Sequence, residues 1–380
     1  MNTKKLLALL LAVVMVLGIA ACGGNTEAQQ TTGSTEGSEP NETTAQDETP
    51  SSVTVETIYG SVEVPYAPER VCVLDSSVLD FIDVLGLGEH VASVQSAKGT
   101  PAYLEEYYNS ESIILLQREK NKNKGNDSAE TDATEATTDP YEMYYSIDAD
   151  LIIGTADTVD EELYAILSQI APTVVTGFAI DNEIGMYAGI KENARLIASI
   201  WGVEGKLDEI TAEYDALYQQ LDEALEGVTI VMLNSSLDTN RVEVVSNDEI
   251  ESSNDKREAE RSGRIMLDLG MVMYSNDVPE EVAEASVYER NAEADAQAAK
   301  NKVITDWIEQ VAPEYVLVVD RNFDSIEAAE AEGYDASTLT NLTANQAGKL
   351  FVLSYAGSNG ASGLQGTFIQ LDELAAIFLN

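Results

Sequence analysis

The chain has 380 residues and a formal net charge of −46, with 67 acidic residues against 21 Lys and Arg. A chain this acidic lacks the cationic surface that phosphate contacts require, which excludes non-specific nucleic-acid binding. Its two cysteines and single histidine exclude a disulfide framework, a cysteine-held iron–sulfur centre and a histidine-based zinc site.

The first 22 residues have the pattern of a bacterial lipoprotein signal. Lys4 and Lys5 precede an apolar run over residues 6–20, which is shorter than the about 20 residues of a membrane span. Small residues lead up to Cys22, so we predict lipidation of its thiol and anchoring of the chain to the extracytoplasmic face of the cell membrane. The alternative is an ordinary cleaved signal in which Cys22 is incidental.

Two segments have compositions typical of disordered chain. Residues 23–52 contain no aromatic residue and no aliphatic side chain larger than alanine, and residues 118–140 are rich in Asn, Asp, Thr and Lys. Neither segment can bury enough apolar surface to offset the entropy of ordering it. We predict a flexible tether over the first segment and a disordered insert over the second.

The elements that follow the tether are typical of an α/β fold. Alternating residues over 53–64 predict a hairpin, and the apolar run 70–74 predicts a strand buried on both faces of a parallel sheet. Asp75 then offers a helix N-cap, and glycines at 86 and 88 end that helix. Because another apolar strand follows at 91–94, the unit is strand–helix–strand, with parallel pairing.

The coupling of a helix end to an apolar strand recurs in both halves of the chain. It appears at residues 147–153, 170–175 and 311–319, which predicts two similar α/β lobes. Helical spacing over 182–202 predicts a helix that crosses from one lobe to the other. We therefore predict an N-terminal lobe over 53–181, an interlobe helix over 182–202 and a C-terminal lobe over 203–380.

With these elements placed, the chain resembles the class III substrate-binding proteins of ferric-siderophore and cobalamin uptake. The matching motifs lie in order over about the first half of the mature chain and more loosely beyond it. They are residues 59–65 (YGSVEVP), 68–71 (PERV), 79–88 with its LGLG ending, 148–154 (DADLIIG) and 170–174 (IAPTV). The resemblance implies two Rossmann-like lobes with mostly parallel sheets, joined by a single long α-helix, with a ligand cleft between the lobes.

The resemblance also implies a function. It indicates a binding protein of an ABC importer, working with the permease and its ATPase, whose cargo is a small-molecule iron complex, most closely an anionic ferric siderophore. Haem and cobalamin remain alternative cargoes, and a surface lipoprotein that acts as an adhesin is a second alternative. We expect a monomer without a cofactor of its own, because the cargo carries the iron.

Arginine suits an anionic cargo because its guanidinium is always charged and presents a rigid fork of donors. Arg261 stands before Ser-Gly, where the family tends to carry Arg-aromatic-Gly, and Arg264 belongs to the same basic island. Arg321 follows the apolar strand 315–319, and ligands of open α/β sheets gather at such strand ends. We predict that these three arginines bind the cargo.

Two tyrosines and two glutamates complete the predicted sites. Tyr103 lies on a loop that the resemblance places at the cleft, where its ring stacks on an aromatic ligand, and Tyr355 lies near the family's late tyrosine position. Glu105 and Glu106 are the predicted permease contacts on the N-terminal lobe.

Other chemistries find little support in the sequence. We find no Gly-x-Ser-x-Gly elbow and no glycine-rich phosphate loop after a strand, so we expect no enzymatic activity. The single histidine, His90, stands in a predicted surface turn, so we expect no metal site and no protein ligand to the cargo's iron. Cys72 lies within an apolar strand and is predicted to be a small buried hydrophobic residue.

Overall fold

The computed structural model describes most of the chain after residue 49, and residues Pro50–Asn380 form one compact unit. The predicted tether up to residue 49, the predicted insert over 118–140 and Cys22 lie outside the described residues. The described ranges are 50–96, 100–117, 141–177, 184–245, 257–274, 278–287, 293–320, 322–323, 325–346, 348–355 and 363–379.

The first lobe contains an antiparallel hairpin and a parallel sheet. Its hairpin consists of β1 and β2, and its described sheet has the strand order β5-β4-β3-β6-β7, with every neighbouring pair parallel. The elements in chain order are β1 Ser52–Thr57, β2 Gly60–Pro65, β3 Val71–Val73, α1 Ser76–Val84, β4 Val91–Gln95, α2 Glu105–Asn109, β5 Ile114–Leu116, α3 Glu142–Tyr145, β6 Leu151–Thr155, α4 Glu161–Leu167 and β7 Thr173–Thr176.

The second lobe contains a related described sheet, with four parallel strands and one antiparallel strand. Its described sheet has the order β10-β8-β11-β12, all parallel, and β9 pairs with β8 antiparallel. The elements in chain order are α5 Met186–Trp201, α6 Glu204–Leu225, β8 Thr229–Ser236, β9 Arg241–Val244, α7 Arg257–Asp268, β10 Val272–Met273, α8 Glu280–Ser286, α9 Ala294–Val311, β11 Tyr315–Asp320, α10 Ile326–Ala331, α11 Ser337–Gln346, β12 Leu350–Leu353 and α12 Leu364–Phe378.

Both parallel sheets are covered on both faces, as their continuous apolar strands predicted. In β3, Val71 and Val73 join one core while Cys72 joins another on the opposite face. In β8, Ile230 and Met232 join the first core, whereas Val231 and Leu233 join a third. Since the first core contains strand residues of both sheets, a single apolar interior runs from one lobe into the other.

Helices that contribute to this shared interior extend from one lobe to the other. Helix α5 begins against the second lobe, where the Met186 amide donates to Asp268, and ends against the first, where Tyr66 donates to the Trp201 carbonyl. Helix α6 returns along it, because Lys206 near its start donates to the carbonyl of Leu85 in the first lobe. Helix α12 packs on both α6 and α1. The crossing helix predicted over 182–202 therefore corresponds to Met186–Trp201, with α6 and α12 packed beside it.

Local signals in the sequence explain the element ends. The carboxylate of Asp75 accepts the Ser77 amide at the start of α1, and Gly86 after the helix has a φ of +66°. A positive φ suits glycine because it has no Cβ to clash with the backbone. The predicted α/β fold, with parallel pairing in two lobes, is confirmed.

Candidate ligand-binding cleft

In each lobe, the helix that follows the last strand of the sheet begins at a carboxylate of the opposite lobe. Helix α5 follows β7 and starts on Asp268 of the second lobe, whereas α12 follows β12 and starts on Asp80 of the first lobe. The carboxyl ends of both sheets therefore border the region between the lobes, which is where open α/β sheets bind ligands.

A polar cluster stands at the carboxyl end of the first sheet. Asp75, just beyond β3, accepts the Ser77 hydroxyl at 2.6 Å and the hydroxyl of Thr155, the last residue of β6, at 3.2 Å. The ring of Tyr108 packs on the shared core, and its hydroxyl bonds to Thr100. Burial, followed by the negative charge of Asp75, raises the pKa of Tyr108 to about 12. These hydroxyls stay protonated at neutral pH and serve as hydrogen-bond donors.

A buried carboxylate organises the corresponding edge of the second sheet. Asp320 ends β11 and is fully buried. Its Oδ2 accepts the Ser235 hydroxyl at 2.6 Å and the Leu237 amide at 2.7 Å, and its Oδ1 accepts the amides of Asn322 and Phe323 at 2.9 and 3.1 Å. Asp320 thus fixes the turn after β11, and its carboxylate oxygens accept hydrogen bonds from four groups of its own lobe.

The predicted site tyrosines lie in different settings. Tyr103 is half-buried against the shared core, and its hydroxyl donates to Asp80 at 2.9 Å. Burial, and then the charge of Asp80, raises the pKa of Tyr103. Tyr355 lies two residues beyond β12, also half-buried against the shared core. Tyr355 therefore stands near the carboxyl end of β12, and the contact of both tyrosines with a cargo stays a prediction.

Only one of the three predicted arginines, Arg264, has its side chain among the described residues. Arg264 lies on α7 with its Nε 3.5 Å from Oδ1 of Asp268, so its guanidinium supports the residue that holds the start of α5. Arg261 lies one turn earlier in the same helix, Arg257–Asp268, and its side chain is outside the described residues. Arg321 is also outside them. The binding roles of all three stay predictions.

The predicted docking glutamates are on the surface of the first lobe. Glu105 and Glu106 form the first turn of α2, and both are exposed. Their contact with a permease stays a prediction.

Cys72 has the buried environment that the sequence predicted, whereas His90 lies in the predicted turn but is half-buried. The thiol of Cys72 is buried, and burial raises its pKa to about 12. His90 ends a short 3₁₀ turn, Gly88–His90, with its ring 5.9 Å from that of Trp201. In the part of the chain that the structure describes, no three His, Cys, Asp or Glu side chains are grouped for metal binding.

Part of this cleft differs from what the sequence predicts. Asp75 was expected only as a helix cap, and neither Thr155 nor Tyr108 was expected at the site. The signal for Asp75 and Thr155 was available, since each stands where an apolar strand ends at the same edge of a parallel sheet. Tyr108 had no such signal because the tertiary fold brings it within electrostatic range of Asp75.

Two α/β lobes, each with a parallel sheet whose carboxyl ends border the interlobe region, and a helix leading from one lobe to the other, form the fold that the class III resemblance implied. No protein-family model matches the chain, and none of the curated proteins compared with it matches. Among the described residues, no helix combines the length and apolar composition that a membrane crossing requires.

Solved structures share this fold. The periplasmic catecholate-siderophore binding protein VctP from Vibrio cholerae matches with a TM-score of 0.56 and 20% identity, over 86% of this chain and 99% of that one. The petrobactin-binding protein YclQ from Bacillus subtilis matches with a TM-score of 0.53 and 19% identity, over 86% and 98%. The iron-uptake substrate-binding protein PiuA from Streptococcus pneumoniae matches with a TM-score of 0.53 and 16% identity, over 86% and 99%. The fold predicted from the class III resemblance is confirmed.

Proposed function

We propose that this chain is the solute-binding lipoprotein of an ABC importer, that it belongs to the class III family, and that it captures an anionic ferric siderophore outside the cell. The observation that carries the proposal is the pair of parallel sheets whose carboxyl ends border one interlobe region. Solved proteins of this fold include one that binds catecholate siderophores and one that serves iron uptake, which supports an iron complex as the cargo.

The chemistry of the strand ends supports an anionic cargo. Asp320 accepts four donors of its own lobe, and Asp75 accepts donors from Ser77 and Thr155, so these carboxylates are engaged within the lobes. Arg321 follows Asp320 directly, at the end of a central strand. A guanidinium there would form charge-assisted hydrogen bonds with catecholate or carboxylate oxygens.

The proposed route to the cell interior needs an anchor and a docking surface. Lipidated Cys22 would hold the protein at the membrane, and Glu105 and Glu106 on the first lobe would contact basic residues of the permease, with the ATPase driving transport. Reversing both charges, Glu105→Lys with Glu106→Lys, should leave cargo affinity unchanged and reduce iron uptake by cells. A loss of affinity in this variant would place the two glutamates at the cargo instead.

A ligand screen on the unit Pro50–Asn380 tests the cargo class. Thermal shift and tryptophan fluorescence are measured with ferric catecholates, ferric hydroxamates, haem and cobalamin. A cargo that binds only the folded protein raises its stability by about 2.7 kcal/mol at one hundred times its Kd. Stabilisation by ferric siderophores supports the proposal. Stabilisation by haem or cobalamin alone would mean that this compound, and not a siderophore, is the cargo. No response to any of them favours the adhesin alternative.

Two substitutions test the predicted arginines directly. The double variant Arg261→Ala with Arg321→Ala should weaken siderophore binding at least about tenfold, because each charged hydrogen bond contributes roughly 1.5–3 kcal/mol. Arg195→Ala is the matched control, since Arg195 pairs with Asp208 on the surface of α5 and α6. Full affinity in the double variant would contradict the role of the arginines.

A further inference from the structure

The two lobes contain one helix each in equivalent positions. In the first lobe, α1 lies between β3 and β4, and these two strands pair. In the second lobe, α7 lies between β8 and β10, which also pair, with β9 inserted before the helix. Because both helices follow the first strand of their sheet and precede its neighbour, α1 and α7 are topological counterparts.

Helix α1 holds the helix that leaves the second lobe. Asp80 on α1 is 1% exposed, and its Oδ1 accepts the amide of Gln365 at 3.0 Å. The backbone amides of Leu364 and Gly366 on either side of Gln365 also favour the charged form of this carboxylate. These amides are the first turn of α12, which follows the last strand of the second sheet. A carboxylate of the first lobe therefore caps a helix of the second.

Helix α7 does the same in the opposite direction. Asp268 on α7 accepts the Met186 amide, and the neighbouring Tyr187 amide also favours the charged form of this carboxylate. These amides are the first turn of α5, which follows β7, the last strand of the first sheet. Arg264 lies beside this carboxylate as Tyr103 lies beside Asp80. The two contacts are reciprocal across the lobe interface.

The residue before each of these helices is a glycine that the carboxylate requires. A Cβ at position 363 would lie 2.3 Å from Cγ of Asp80, and a Cβ at position 185 would lie 3.2 Å from Oδ2 of Asp268. Gly185 also has a φ of +88°, which few other residues adopt. At position 363 the carboxylate from the opposite lobe occupies the space that an N-cap side chain would need, and at position 185 it makes a tight contact with that space.

We propose that Asp80 and Asp268 are reciprocal interlobe latches, which together fix the angle between the lobes. A capping carboxyl group accepts amide hydrogen bonds and, when it is ionised, also interacts favourably with the positive end of the helix dipole. When the carboxylate and the helix belong to different lobes, that interaction resists relative movement of the lobes. The proposal goes beyond the proposed function, because it concerns the arrangement of the lobes whatever the cargo is.

The angle between the lobes is measurable without a cargo. In the unit Pro50–Asn380, Cys72 is the only cysteine and is buried, so nitroxide labels attach to introduced cysteines. Thr54→Cys on β1 and Gln310→Cys on α9 place labels at exposed positions of the two lobes. Double electron–electron resonance then gives the interlobe distance distribution for Asp80→Asn, Asp268→Asn and the pair together.

We expect each single latch variant to broaden the distribution or shift it by more than about 2 Å, the scale of domain rearrangements, and the double variant to do so further. The matched control is Asp160→Asn, because Asp160 caps α4 through the Leu163 amide within one lobe. The control should leave the interlobe distance unchanged.

Variants that lower the free energy of unfolding but keep the parental distance distribution would make Asp80 and Asp268 simple helix caps and overturn the proposal. If Asp80→Asn does not fold, Tyr103→Phe removes one hydrogen bond from Asp80 and is measured in the same way. A smaller shift in the same direction supports the latch, and an unchanged distribution overturns it.

Discussion

Burial decides the chemistry of individual side chains in this protein. Asp80 is enclosed between α1 and the first turn of α12, and desolvation raises its pKa to about 7 even though the Gln365 amide and the Tyr103 hydroxyl favour the charged form. The enclosed thiol of Cys72 is protonated at neutral pH for the same reason, so it is a poor nucleophile. Asp320 is equally buried and satisfies its oxygens with four donors.

The raised pKa of Asp80 predicts a pH dependence of stability. Between about pH 4 and pH 7, the folded protein keeps a proton on Asp80 that the unfolded chain, with an ordinary pKa of 3.8, has lost. The contribution of Asp80 is therefore fully present below about pH 4 and is lost as the pH rises through 7. In urea unfolding at several pH values, the free energy of unfolding should fall more steeply with pH in the parent than in Asp80→Asn.

The control for this pH prediction is Asp335→Asn. Hydrogen bonds from Ser337 lower the pKa of Asp335 from its ordinary value of 3.8. Its effect on the free energy of unfolding therefore has the opposite sign to that of Asp80 and occurs below the pH range in which Asp80 is tested. Its profile should run parallel to that of the parent. Equal slopes in the parent and in Asp80→Asn would contradict the assignment to Asp80.

The four donors of Asp320 predict a large cost for removing its carboxylate. In Asp320→Ala, the buried amides of Leu237 and Phe323 lose their acceptor, and each unsatisfied buried group costs about 1–3 kcal/mol. We expect a loss of roughly 2–5 kcal/mol in the free energy of unfolding, measured with urea. Asp306→Ala is the control, because Asp306 pairs with Lys302 on the exposed face of α9 and exposed pairs stabilise little. A loss no larger than that of the control would contradict the structural role of Asp320.

At the scale of elements, capping divides into local and long-range cases. Asp75 and Asp160 cap the helices that follow them directly, through amides two and three residues away. Helices α5 and α12 begin instead with Gly185 and Gly363, which have no side chain to accept a hydrogen bond. Their first amides are satisfied by acids that are distant in sequence, so these two helices depend on the docking of the lobes.

Two glycines with different surroundings predict opposite effects of the same substitution. Gly363→Ala should lower the free energy of unfolding, because the new methyl group would overlap Asp80 and displace it from the amides of α12. Gly205→Ala should raise it by up to about 1 kcal/mol, because Gly205 lies within α6 with no neighbouring atom within 4 Å of the new Cβ, and alanine favours the helix. Thermal and urea unfolding measure both. A neutral Gly363→Ala would show that Asp80 does not occupy that space.

At the scale of the whole molecule, the shared apolar interior couples the lobes. Trp201 belongs to the interior that contains strand residues of both sheets, and Trp307 belongs to the core on the outer face of the second sheet. Helices α5, α6 and α12 contribute to the shared interior, so exposing one lobe would also expose apolar surface of the other. Cooperative unfolding of both lobes follows from this arrangement.

The two tryptophans allow that cooperativity to be measured. In Trp307→Phe the fluorescence reports only Trp201, and in Trp201→Phe it reports only Trp307. Within each variant, the urea midpoint from fluorescence should coincide with the midpoint from far-ultraviolet circular dichroism. If the fluorescence midpoint of either variant lies at a lower urea concentration than the circular dichroism midpoint, the two lobes unfold independently.

The sequence by itself determined the elements and much of the fold class. Apolar runs such as 70–74 and 315–319 predict strands covered on both faces, and the cap at Asp75 is a contact within two residues of the chain. Cys72 could be placed because an apolar strand with such neighbours is buried against another element. All of these signals are local, since hydrophobic period and capping depend on residues that are neighbours in the chain.

Only the tertiary structure decided which lobe holds which helix. Asp80 and its partner Gln365 are 285 residues apart, and Asp268 and its partner Met186 are 82 apart. In the sequence, each acid is a polar residue within a helical pattern, with no feature that separates it from the other 65 acids. What distinguishes them is desolvation, which arises only when a helix of the opposite lobe docks and brings its unpaired amides to the carboxylate.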